Sequence, residues 1–334
     1  MAKDTMVGIN CSHGRLSLVY MRSGVIKKSV WVDVPENVVE HGEILSANLF
    51  SALISDTMRQ NGIKTKKCAY VFPSTNIFVR NLTVPRMSEE QIRYNIPFEF
   101  RDFIQGELKD FVFDYAYRPP LPGEEDDGMT IKLLAVAIRR SRLEEIQDIL
   151  KMSGLKLAKA VPDICAFENM LNSIADAEER RKERCFIDIG NSTSRMLIYK
   201  NGRYKLTHMV DIGERRIVGA IADEFNVDMH IAKTYLMQNY QDCCSLPACV
   251  NCYKDISIEI LKGLNFYEIS DMSARLNDVV LCGGGAMIEP LVAILKERIM
   301  MNVKTTDEFF ADRAYDKNVN ITIDALGVLL GNEG

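Results

Sequence analysis

Residues 186–202 read FIDIGNSTSRMLIYKNG. An apolar strand ends on Asp188, and Gly190, Asn191, Ser192 and Thr193 follow as a small polar turn. A second apolar run then leads to Asn201-Gly202, a pair suited to a tight hairpin turn. The stretch occurs twice. At an offset of 178 residues, Ile9-Asn10 falls on Ile187-Asp188, and Arg22-Ser23-Gly24 falls on Lys200-Asn201-Gly202. The same shift sets Val32-Asp33-Val34 and Glu36 on Val210-Asp211-Ile212 and Glu214. Each copy reads strand, polar turn, strand, glycine turn, strand, helix, which predicts a duplicated α/β fold.

The length of 334 residues with 47% hydrophobic content suits one large core or about two smaller domains. A net charge of −5 gives no positive field to draw in phosphate backbones, so nucleic acid is not expected as a partner. The opening MAKDTMVGIN lacks the basic and apolar regions of a signal peptide, and no run approaches ~20 apolar residues. Nine scattered cysteines read as reduced thiols in a cytosol rather than as a disulfide framework.

Between the copies lies a β-rich segment. Tyr70–Phe72, Ile77–Val84, Phe111–Tyr117 and Ile131–Ile138 read as strands. Ser88-Glu-Glu-Gln91 reads as the capping box of a short helix stopped by Pro97. Residues 119–128, PPLPGEEDDG, read as a solvated hairpin loop. Helices are expected at Ser141–Met152, with Gly154 as stop, and at Asp163–Asn172, followed by the polar run Ala177–Arg184 as a hinge.

Three turns of the second copy carry chemistry. The Asp188–Ser194 turn offers an acid, hydroxyls and backbone amides, the means to cradle phosphate while the acid reaches Mg²⁺ through water. An alternative is an Asp that only caps its own hairpin. Residues 279–299, VVLCGGGAMIEPLVAILKERI, run from a strand through Gly283, Gly284 and Gly285 into a helix, where a phosphate can lie against bare backbone. Gly213-Glu214 adds a third turn facing the same side, so that three loops of one half are expected to converge.

With these motifs in place, the chain resembles the superfamily of sugar kinases, heat-shock chaperone ATPases and actin, which bind ATP between duplicated lobes. Val161-Pro162 with Ala166 looks like the first helix crossing between lobes, and Asp324–Gly327 like the second. The insertion, with VFPSTNIFVRNLTVPRMSEEQIR, IPFEFRDFI and FVFDYAY, is similar to that of the PilM-type pilus assembly proteins, relatives of the cell-division actin homologue FtsA.

That resemblance implies a bilobed actin-like fold. Its first lobe would span 1–183, with an inserted subdomain at about 70–153, and its second lobe 184–334. It implies ATP and Mg²⁺ held by Asn10, Ser12, His13, Gly14, Asp188, Gly190, Asn191, Ser192, Thr193, Gly213, Gly283, Gly284 and Gly285, with Asp188 toward the metal. It further implies an assembly factor rather than a turnover enzyme, cytoplasmic and at the inner face of the cell membrane. The implied partners are the tail of a PilN-type membrane protein, the pilus motor ATPase and platform proteins. Membrane association would come only through those partners, and a homodimer is the candidate self-association.

Departures from the family pattern set two alternatives beside this reading. Family loops resemble GIDIGSSS where this chain has Gly8-Ile-Asn-Cys-Ser-His-Gly14, so Asn10 replaces the acid and Ser12 a glycine. Removing that charge weakens a Mg²⁺ site. In the Asp228–Gln238 helix, Lys233-Thr234 stands where relatives place Glu-Lys. One alternative is a scaffold that keeps the fold and binds only proteins. The other is a small-molecule kinase, whose base would have to be Asp188 or Asp211. His13 and His230 read as bystanders, and Cys243, Cys244, Cys249 and Cys252 as ordinary thiols on a loop rather than a zinc site. Phe72, Ile77, Phe78 and Val79 fit either a partner groove or a buried strand.

Overall fold

The computed structural model describes residues 5–12, 14–35, 37–40, 42–121, 127–272, 274–313 and 315–331. His13, Glu36 and residues 122–126 of the expected hairpin loop lie outside the described residues.

The first lobe starts with β1 (Met6–Ser12), β2 (Arg15–Arg22) and β3 (Val25–Asp33), an antiparallel meander. The short pair β4 (Val39–Glu40) and β5 (Glu43–Ile44) precedes helix α1 (Ala47–Gln60), which Ser46 caps by accepting a hydrogen bond from the Leu49 amide. Strand β6 (Lys67–Phe72) then pairs parallel with β1. The chain leaves this sheet for β7 (Phe78–Pro85), α2 (Glu89–Glu99), β8 (Phe111–Tyr117) and β9 (Thr130–Arg139). It returns through α3 (Arg140–Met152) to β10 (Lys156–Pro162), parallel to β6, and α4 (Asp163–Asn172).

A short α5 (Ala177–Arg181) opens the second lobe. Its meander is β11 (Glu183–Ile189), β12 (Ser194–Lys200) and β13 (Arg203–Val210), followed by α6 (Arg215–Phe225), α7 (Met229–Gln238) and the long α8 (Pro247–Ser270). Then come β14 (Leu276–Cys282), α9 (Glu289–Arg298), β15 (Asn302–Thr305), α10 (Thr306–Phe309) and α11 (Val319–Leu330).

The two sheets have the orders β10-β6-β1-β2-β3 and β15-β14-β11-β12-β13, the same topology. The correspondence extends to single residues. Arg184–Ile189 pair with Ser194–Tyr199 in the register that Met6–Cys11 use with Leu16–Met21, displaced by 178. The irregularity at Tyr20/Met21 recurs at Ile198/Tyr199, the same offset. Both hairpins turn on two positive-φ residues, Ser23 (53°) with Gly24 (77°) and Asn201 (56°) with Gly202 (69°), as a turn matching the strand twist requires. The fold is therefore the duplicated α/β architecture that the repeat predicts.

Each lobe has its own core: Leu16, Leu18, Phe50 and Ile54 in the first, Ile187, Tyr253, Leu281 and Leu291 in the second. A third core between the lobes gathers Phe167 of α4, Leu326 of α11, and Phe186 and Tyr199 of the second sheet. Helices α4 and α11 cross so closely that a Cβ at Gly327 would overlap the Ala166 carbonyl, and one at Gly8 would overlap the Ala325 carbonyl.

The inserted unit is narrower than the expected 70–153. Its sheet, in the order β7-β9-β8, and its core of Ile92, Ile96, Phe100 and Leu133 lie within 78–139. Strand β6 belongs to the first-lobe sheet, and α3 places Ile146, Ile149 and Leu150 in the first-lobe core. The capping box at Ser88 forms, but Pro97 sits inside the last turn of α2 rather than before its end. The run Ala177–Arg184, expected as a hinge, forms the short α5 and the start of β11. Asp176 caps α5, and Arg184 is wholly buried, bonded to Asp278 at 2.9 Å and Glu179 at 2.8 Å.

Phe72 is buried at the end of β6, and the three half-buried residues that follow the short 3₁₀ turn Ser74–Asn76 divide among three cores. Ile77 packs on the first lobe, Phe78 on the inserted unit and Val79 on the core between lobes. This favours the packed reading of these residues over a groove lining. No helix among the described residues is long and apolar enough to cross a membrane.

Candidate functional site

The three turns of the second lobe meet as the sequence suggests. The Gly190 amide donates to the Thr193 carbonyl at 3.1 Å, closing the β11–β12 turn. The Glu214 and Arg215 amides donate to the carbonyls of Gly190 (2.9 Å) and Asn191 (2.8 Å), tying that turn to the Gly213 turn. A Cβ at Gly213 would overlap both carbonyls, so the approach depends on glycine. Gly283 has φ 79°, and a side chain there would strike the Asp188 carboxylate and the Ile189 carbonyl. Gly285 lies against the Ile189 side chain. Ser192 is exposed at the tip of its turn.

From the first lobe, the Asn10 amide group donates to Ser12 Oγ and to Asp324 Oδ2, both at 3.0 Å. Gly14, at φ 73°, shapes the β1–β2 turn. Asn10, Asp163, Asp188, Arg195 and Asp324 are all buried, and they form one cluster at the base of the cleft. Arg195 is its centre. Its Nη2 and Nε donate to Asp188 Oδ2 at 2.6 and 3.2 Å, and its Nη1 donates to Asp163 Oδ2. Asp163 Oδ2 also accepts from the Ser74 amide at 2.9 Å, so first lobe, crossing helix and second lobe share this carboxylate.

Asn10 Oδ1 and Asp324 Oδ1 are buried with no hydrogen-bond partner among the described residues. A proton on Asp324 converts one orphan acceptor into a donor. Burial pushes this carboxyl well above the ordinary carboxylate range, Arg195 opposes the rise, and Asp163 and Asp188 add to it. A raised native pKa means that stability is fully present below the unfolded value of 3.8 and is lost as pH rises through the native one. Asp324→Asn is expected to remove that loss. Its melting temperature should gain on the unsubstituted protein between about pH 4 and pH 8, and a difference constant with pH would refute the assignment.

Nearer solvent, two ion pairs cross the cleft. Arg15 Nη2, at the start of β2, meets Glu214 Oε1 at 2.5 Å, with both residues buried. Lys233 Nζ of α7 meets Asp33 Oδ1 of β3 at 2.5 Å, and Arg15 Nε lies 3.7 Å from the same Asp33 oxygen. Lys233, singled out as a departure from the family helix, is thus a bolt between lobes. The guanidinium of Arg15 and the carboxylate of Glu214 lie directly on Gly284, where a Cβ would overlap both.

Outside this bolt is a pocket of about 430 Å³ lined by Trp31, Leu236, Met237, Met287, Ile288 and Pro290 among others, a size that suits a nucleoside. Behind it, the space among Ser12, Arg15, Asp188, Gly190, Gly283 and Asp324 is only about 20 Å³, room for about one water. The residues present fit a flat organic guest at the mouth and do not fit a metal-bound triphosphate behind it. Asp188, expected to be the metal-side acid, has its Oδ2 engaged by Arg195 Nη2 at 2.6 Å.

Among the described residues, no group of three or more His, Cys, Asp or Glu is placed to hold a metal. The four clustered cysteines are buried in the core rather than carried on a loop. Cys249 and Cys252 lie on α8, and Cys243 donates to the Tyr235 carbonyl at 3.3 Å. Burial pushes the Cys249 thiol up to about 12. His230 is exposed on the first turn of α7. Sequence reasoning missed Arg195, Asp163 and Arg15. The available signal was a lone Arg directly after the turn of a strand otherwise apolar, at the position where the first copy has Ser17.

Two lobes of one topology around a cleft, joined by two crossing helices, define an actin-like ATPase fold. Within it, the chain belongs to the type IV pilus assembly protein PilM family, whose model matches residues 17–323. The protein is an actin-like protein of type IV pilus assembly.

Among solved structures, it is similar to one described as a PilM–PilN type IV pilus biogenesis complex, with 16% identity, TM-score 0.77 and coverage of 98% of this chain and 97% of that one. The ethanolamine utilization protein EutJ from Carboxydothermus hydrogenoformans follows at 12% identity and TM-score 0.61, covering 99% and 90%. MreB5 of Spiroplasma citri, bound to ADP, has 11% identity and TM-score 0.51, covering 97% and 95%. No curated protein matches the chain by sequence.

Proposed function

We propose that this protein is a cytoplasmic adaptor of the pilus assembly platform, working at the inner face of the membrane. It would hold the cytoplasmic tail of a PilN-type membrane-anchored partner and couple the platform to the motor ATPase without turning over a substrate itself. Family membership supports the setting, and the relative solved as a PilM–PilN complex supports the partner. The observation that carries the binding mode is the inserted sheet. In the order β7-β9-β8, neither β7 nor β8 has a further strand on its outer edge among the described residues. Such an edge offers backbone donors and acceptors to an extended peptide, and alternate side chains supply specificity.

Of the two adaptor forms, the cleft geometry favours the one that works without MgATP. A kinase reading finds little support: Asp188 is locked to Arg195, and Asp211 is exposed on the loop before α6. The test is fluorescence anisotropy with labelled N-terminal tail peptides of single-span membrane proteins encoded beside this one. Saturable binding that the unlabelled peptide competes away is expected. If no such tail binds, the adaptor assignment falls.

A further inference from the structure

We infer that the cation of this cleft is built into the chain: the Arg195 guanidinium stands in for a nucleotide-bound divalent ion, and the Arg15–Glu214 and Lys233–Asp33 pairs hold the cleft shut without MgATP. Three buried carboxylates converge here, those of Asp163, Asp188 and Asp324. Carboxylates so placed need a positive partner, because leaving a buried charge unpaired is costly. Arg195 meets that need for Asp163 and Asp188 through three hydrogen bonds, and the Asn10 amide serves Asp324.

Mg²⁺ keeps near-octahedral geometry and usually retains several waters. The space beside Asp188, about 20 Å³, holds about one. A bound divalent ion would also have to approach a buried guanidinium that cannot lose its proton. On the solvent side, the Gly284 backbone that a phosphate would need is already covered by Arg15 and Glu214. In the first copy, the position equivalent to Arg195 is Ser17, whose hydroxyl makes only a 3.4 Å bond to the Ile321 carbonyl, so the built-in charge belongs to the second lobe alone. The mouth pocket outside the bolt remains open to a guest without phosphates.

The test is thermal unfolding of the full chain with and without MgATP, alongside native mass spectrometry of the protein as purified. The expected results are a melting temperature moved by less than about 1 °C at ~1 mM MgATP, and no co-purified nucleotide. A saturable rise with MgATP, or stoichiometric nucleotide in the spectrum, overturns the inference. A second arm uses Arg195→Ser and Arg195→Lys. Arg195→Ser, with Asp163 and Asp188 left without their cation, should gain a Mg²⁺-dependent rise in melting temperature, whereas Arg195→Lys should stay indifferent to Mg²⁺. If Arg195→Ser folds and ignores Mg²⁺, the guanidinium is not acting in place of an ion. If Arg195→Ser does not fold, the nucleotide arm on the unsubstituted protein decides alone. This arm is independent of tail binding, so either proposal can fail while the other stands.

Discussion

Gly8→Ala and Gly327→Ala are each expected to cost about 3 kcal/mol or more in denaturant unfolding, among the largest effects of any single methyl in this chain. At both sites the added Cβ would overlap a backbone carbonyl of the facing segment, Ala325 for Gly8 and Ala166 for Gly327. Neither carbonyl can swing away as a side-chain end would. Ala325 lies within α11, and Ala166 within α4, so relief requires moving a helix. The control is Gly219 in α6, where a Cβ meets nothing within 4 Å. Gly219→Ala should stabilise by up to about 1 kcal/mol through helix propensity alone. Equal effects at all three glycines would show that the close crossing of α4 with α11 and β1 does not hold the lobes.

Asp163→Ala is expected to destabilise by about 3–5 kcal/mol, because it leaves the buried guanidinium of Arg195 short of a partner. The same change removes the acceptor for the Ser74 amide and hydroxyl, at 2.9 and 3.2 Å, and so loosens the exit from β6 as well. Asp163→Asn keeps an acceptor and should cost distinctly less. Guanidinium chloride unfolding followed by circular dichroism measures both. A loss below about 1 kcal/mol for Asp163→Ala would mean that Asp188 alone satisfies Arg195.

The repeat at residues 186–202 made the architecture legible because sheet topology follows from local patterns: apolar runs, X-Gly turns and the offset between copies. Register, and even the strand irregularity, then repeat because the same side chains must face the same cores. The glycine turns were legible as convergent for a similar reason, since only glycine fits them. What fills the cleft was not. Arg195 finds Asp163 at a separation of 32 residues, and Arg15 finds Glu214 at 199. A sequence shows that a residue is charged and in a strand, but not which distant charge it will face. Asp188 in particular carries the spacing of a metal-phosphate acid, and only its neighbour on the next strand shows that its charge is already matched. The inserted unit was read too broadly because β6 and α3 flank it in sequence while packing on the first lobe.

Ile77, Phe78 and Val79 anchor in three separate cores within three residues. Such an arrangement behaves like a rivet through three plates. A pull on the inserted unit cannot be absorbed by that unit alone, since the same short segment grips the first lobe and the seam between lobes. A load applied at the sheet edge is therefore shared by the whole body.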